Sequence, residues 1–128
     1  MDQKLFDKGM EIRREVLGDA YVDRALAQMN GFNRPLQEMV TQYCWGALWG
    51  REGFSKRDRS VVNLAIIATL NRSHELKAHI KGAINNGLSK DEIAEILLQV
   101  GVYSGIPAAV DSFRTANEAF GEMDAEKK

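Results

Sequence analysis

From Val61 to Leu70 the chain carries only two polar residues, Asn63 and Thr69. Such a run has to be hidden from water, and its length limits what it can be. It is led in by Ser55-Lys56-Arg57-Asp58, a serine followed three residues later by an acid. In that pattern a helix start satisfies its own free N–H groups. About 14 residues without a turn signal is long for a strand, so a helix is expected from Arg57 to Leu70. A helix apolar nearly all round is buried, either in the centre of a domain or between subunits.

The rest of the chain is punctuated in the same way, and no stretch alternates with period two. Leu5, Phe6, Met10, Ile12, Val16 and Leu17 give a first helix from Asp2 to about Leu17, weakened by Gly9 and ended by Gly18. Asp19 is placed to cap a short helix from Ala20 to Met29. After the Asn30-Gly31 turn, Asn33 is placed to cap a third helix running to about Trp49, with Pro35 in its first turn. That helix carries two stripes, Leu36, Met39, Val40, Tyr43 and Ala47 on one side and Glu38, Gln42, Trp45 and Trp49 on the other.

The next helix is expected to start near Ser73 as N-cap and to stop at Gly87, with Leu76, Ile80, Ala83 and Ile84 as its apolar face. Glu75 and His79 lie four residues apart on it, one above the other at the margin of that face. Ser89-Lys90-Asp91-Glu92 is a full capping box, and Ile93, Ile96, Leu97, Val100 and Tyr103 follow at helical spacing. Gly105 breaks that helix. A last one starts near Pro107, with Ile106, Ala109, Val110, Phe113, Ala116 and Phe120 as its expected buried face. Gly121 to Lys128 reads as a charged, frayed tail.

At 128 residues this is one expected domain, spanning 1–128, of an all-α class with about six to seven helices. A net charge of −1 gives no electrostatic reason to expect nucleic acid or an anionic membrane as partner. No apolar run reaches the length of a membrane span, and Met1-Asp2-Gln3-Lys4 lacks a signal-peptide core. A single cysteine, Cys44, cannot close an internal disulfide and is expected as a small buried hydrophobe. A cytoplasmic setting fits these features.

Three stretches together resemble the carboxymuconolactone decarboxylase family, within the alkylhydroperoxidase-D-like superfamily. They are Arg57-Asp58-Arg59-Ser60-Val61-Val62, then Glu75 to Ala83 with Asn86 to Glu95, then Tyr103-Ser104-Gly105-Ile106-Pro107-Ala108-Ala109. Trp45, Gly46 and Trp49 extend the resemblance over nearly the whole chain. It implies a helical domain assembled as a trimer-based homo-oligomer, commonly a hexamer. It implies cofactor-free loss of CO2 from a dicarboxylate lactone in aromatic-acid breakdown, giving the enol-lactone of 3-oxoadipate. The peroxidase branch carries a CxxC pair, whose places here are taken by Arg72 and Glu75, while His79 matches its histidine. Dithiol chemistry is thereby removed and a possible proton-transfer pair is left.

Such a reaction sends two electrons through the ring alkene onto the lactone carbonyl oxygen, so the site needs a donor or cation there and a proton source at carbon. His79 is assigned the proton-transfer or electrophilic role, and Glu75 the task of orienting it or acting as the acid. Arg59 and Arg72 are candidates for clamping carboxylate, since a guanidinium can hold it by two bonds. Trp45, Trp49 and Tyr103 are candidates for the pocket wall. No metal is required, and two histidines five apart beside one Glu make a poor ligand set.

Each residue also has a plainer reading. His79 reads as a hydrogen-bonded structural histidine, and Glu75 as its helix-stabilising partner. Arg57 and Arg59 read as ion-pairing residues, with Asp58, Glu52 or a neighbouring subunit, and Arg72 as a charge at a helix start. The two tryptophans read as core or subunit interface, Tyr103 as core, and Lys77 and Lys81 as a solvated face. The competing functions are a non-catalytic oligomeric binding protein of the same fold and, disfavoured by the missing CxxC, a hydroperoxide reductase.

Overall fold

A computed structural model describes residues 1–127; Lys128, the end of the expected tail, lies outside them. Among the described residues all regular structure is helical. The chain forms two compact units, Met1–Ser55 and Lys56–Lys128.

In the first unit α1 spans Gln3–Leu17, and the Asp2 carboxylate accepts from the backbone N–H of Leu5 at its start. Gly18, at φ 90°, separates it from α2, Asp19–Ala27. Asp19 is therefore the first residue of α2 rather than its cap, and its carboxylate reaches back 3.0 Å to Arg14. Helix α3 is short, Arg34–Met39. Asn33 does not cap it through its side chain, because Asn33 Oδ1 accepts from the N–H of Asn30 at 2.8 Å instead.

The chain continues from α3 into a π-helical stretch, Val40–Leu48, closed by the bond from Trp49 N to Cys44 O at 3.0 Å. Its polar-looking stripe is the buried one. Thr41, Gln42, Trp45 and Trp49 face inward, while Leu36, Met39 and Tyr43 are each more than half exposed. Cys44 is exposed too, which corrects the expectation of a buried thiol: it shares the outward side with Tyr43.

The reason lies in how α1 meets this stretch. A Cβ on Gly9 would stand 1.8 Å from Thr41 O, and one on Gly46 would stand 2.5 Å from Leu5 O. Two glycines thus let the backbones touch. Trp45 and Trp49 then stack at 5.0 Å against Ile12 and Val16 to make the core.

The second unit holds α4 (Lys56–Thr69), α5 (Ser73–Asn85), α6 (Lys90–Ser104) and α7 (Ile106–Glu126). Helices α4 and α7 each pack against both α5 and α6. Leu64, Leu76, Ile80, Ile93 and Leu97 are sealed between them. Ser89 and Glu92 close the expected capping box, and Gly87 and Gly105 take the positive φ angles, 101° and 128°, that end the preceding helices.

Several faces differ from the expected ones. On α4, Leu64 and Ala68 are buried, but Val62 and Ile66 are 42% and 50% exposed. On α7 the small residues Ala108, Ser112, Thr115 and Ala119 face inward, whereas Ile106, Val110 and Phe113 face out. Tyr103, expected in the core, is 85% exposed. Helix α7 runs past Gly121 to Glu126, so the expected tail is mostly helix. Lys77 and Lys81 are not merely solvated: both reach Glu122 of α7, at 2.8 and 3.0 Å.

Candidate active site

Helix α5 places the two residues of greatest interest. Leu76, Ile80 and Ala83 point into the core and fix its rotation. That rotation puts Glu75 and His79 together on the flank. The helix starts one residue earlier than expected: Arg72 is its N-cap position and Ser73 its first residue. Asn71, at φ 58°, turns the chain into it. At the other end Asn86 Nδ2 donates to Ser60 Oγ at 2.9 Å, tying α5 to α4. In the sequence Asn86 stands out only as part of a stretch that carries the family resemblance. Ser60 is 2% exposed, and a buried hydroxyl needs such a polar partner.

His79 is half-buried and Glu75 exposed. Burial pushes the His79 imidazole down to about 4, and the nearby charge of Glu75 opposes that drop without cancelling it. Near neutral pH the ring is therefore uncharged, with one N–H donor and one bare nitrogen acceptor. Such a ring can donate to an oxygen that gains charge, or accept a proton, without bringing a positive charge of its own. Glu75, open to solvent, can exchange protons with water.

Arg59 is half-buried on α4. Arg72 is exposed, and its Nη1 donates to Leu70 O at 3.2 Å, which holds the loop before α5. Tyr103 opens onto a cleft of about 410 Å³ between α4 and α6, lined by Val62, Ile66 and Ile96, and His79 is not among the residues lining it. Trp45 and Trp49 form the core of the first unit, each 4% exposed. Arg57 pairs with Glu92 of α6. No three His, Cys, Asp or Glu side chains converge as metal ligands would among the described residues.

Residues 34–118 match the carboxymuconolactone decarboxylase family. The chain is 36% identical to a 4-carboxymuconolactone decarboxylase of Acinetobacter baylyi, over 95% of this chain and 91% of that protein. It is 37% identical to nitrosuccinic acid decarboxylase npaB of Metarhizium robertsii, over 96% of this chain and 86% of that protein. A 4-carboxymuconolactone decarboxylase sequence of Pseudomonas putida is 53% identical over 47 residues, 36% of this chain and 98% of that sequence.

Proposed function

The chain belongs to the carboxymuconolactone decarboxylase family and is a carboxy-lyase, and on that premise we propose that it decarboxylates 4-carboxymuconolactone to the enol-lactone of 3-oxoadipate. The observation that carries this reading is the likeness, over nearly the full length of both chains, to a protein of that activity.

In the proposed reaction the bond from ring carbon to carboxylate breaks and CO2 leaves. Its electron pair moves through the ring alkene to the lactone carbonyl oxygen. A proton then returns to carbon, and no other reactant is needed. The neutral imidazole of His79 donates its N–H to the carbonyl oxygen as charge arrives there. Glu75, one turn earlier, orients that ring and passes the proton from solvent. Arg59 and Arg72 hold the carboxylates. Of the three aromatic candidates Tyr103 is the one on the surface, and it walls the pocket when a second copy covers it; Trp45 and Trp49 pack the core of the first unit. The protein works in the cytoplasm as a trimer-based homo-oligomer of hexamer type; the apolar residues left exposed on α4, α6 and α7 support self-association.

The nitrosuccinic acid decarboxylase among the relatives favours a second reading. Nitrosuccinate is also a dicarboxylate, and its nitro group takes up the electron pair as the lactone carbonyl does. An ultraviolet assay on both acids separates the two. Turnover of the lactone at a kcat/KM at least ~10²-fold above that for nitrosuccinate supports the first reading, and the reverse ratio overturns it.

A further inference from the structure

Arg13 is a cation where none is expected. It is 5% exposed in the first unit, and its charged form is disfavoured by burial. Its Nη1 donates to Gln37 Oε1 at 3.0 Å and to Thr41 Oγ1 at 3.4 Å, both neutral oxygens. Its Nε is buried with no acceptor, and no Asp or Glu pairs with it among the described residues. A buried charge without a counter-ion is costly, and the cost falls when an anion comes near.

The arginine also decides what its two partners present. A guanidinium has donors only. Gln37 must therefore offer it the amide oxygen, which turns the amide NH2 away. Thr41 must offer a lone pair, which leaves its hydroxyl hydrogen to be given elsewhere. Both side chains line a cleft of about 170 Å³ that also takes in Arg34. The lining thus takes in an amide side chain, a buried threonine and the exposed Arg34 guanidinium, with the buried charge of Arg13 behind them. Phe6, Leu26 and Met29 give the cleft an apolar side, beside Met1 and the polar Gln3. Glu38 lies on the lining as well, which disfavours a second negative group on the ligand.

We propose that this cleft binds a small organic acid with a single carboxylate and a compact apolar body. The carboxylate takes the donors of Gln37, Thr41 and Arg34, with Arg13 behind them, and the body rests on Phe6, Leu26 and Met29.

The test uses the whole chain, with benzoate as probe and benzamide as its uncharged match. In heteronuclear NMR, benzoate moves the Gln37 side-chain amide and the Arg13 Nε–H resonances saturably, and benzamide does not. Arg34→Gln, a surface change that spares the fold, and Thr41→Val each weaken benzoate about tenfold, the scale of one bond to a charged group. His79→Ala leaves benzoate binding unchanged, which keeps this site apart from the proposed reaction. Equal shifts with benzamide, no saturation up to tens of millimolar, or loss of the shifts in His79→Ala would each overturn the proposal.

Discussion

At the scale of single residues the protonation of His79 sets what it can do. The folded chain holds its imidazole down at about 4, by burial first and against the charge of Glu75. In the unfolded chain the same ring titrates near 6.5. Above that value both states carry it neutral. As pH falls below it, the unfolded state takes up a proton that the folded state refuses until about 4. Stability therefore drops between those limits and levels off beneath them, by at most about 3 kcal/mol from this group. Urea unfolding at stepped pH measures the slope, and His79→Gln should flatten it. Turnover makes a separate demand. His79→Ala is expected to lower kcat by ~10²-fold or more, the usual reach of a positioned proton-transfer group. A folded variant with unchanged turnover removes the residue from the mechanism. The pairing of positions 75 and 79 was legible from spacing, because a helix puts residues four apart side by side. The depressed basicity was not, since it depends on how far neighbouring helices cover one ring.

At the scale of elements, the stops and one start are written locally, while the caps expected at Asp19, Asn33 and Ser73 are not formed. Ser89 with Glu92, Gly87 and Gly105 act through bonds and backbone angles within a few residues, so their positions carried over from sequence to structure. Gly9 carried a different meaning. Read along the chain it only weakens α1, and replacing it with alanine should stabilise the helix by up to about 1 kcal/mol. Read across the fold, its missing Cβ leaves room for Thr41 O, a backbone atom that cannot step aside. The clash outweighs the propensity, and Gly9→Ala should destabilise the protein by about 2–3 kcal/mol or more. Gly121 is the control. It also sits inside a helix, but a Cβ there would meet nothing within 4 Å. Gly121→Ala should stabilise by about 0.5–1 kcal/mol. Chemical denaturation of the pair decides the matter, and shifts of the same sign would mean that the close approach of α1 to the π-helical stretch is not what Gly9 serves. That stretch itself left no local mark, because its widened turns are bound up with the backbone contacts that Gly9 and Gly46 allow.

At the scale of the whole molecule, the helices lie where the sequence places them, but not every large apolar residue turns inward. On α7 the large apolar residues Ile106, Val110 and Phe113 are expected inside, and inward places go instead to small or polar ones, such as Ala108, Ser112, Thr115 and Ala119. A helix with two apolar faces gives no sign of which belongs to its own chain. Ile66, Val102 and Ile106 remain at least half exposed, in contact with water that a chain standing alone has no reason to choose. If such residues meet a second copy, a charge placed among them should act on assembly and not on the fold. Val102 is 78% exposed, so Val102→Glu should alter the stability of the single chain by no more than about 0.5 kcal/mol. Buried unpaired at a subunit contact, the same carboxylate would cost several kcal/mol and drive the copies apart. Light scattering after size exclusion should find the wild type as a homo-oligomer and the variant as a smaller species, with the helical circular dichroism of both alike. A wild type that elutes as a monomer would sink the assembly, and with it the covering of Tyr103 on which the proposed pocket wall depends.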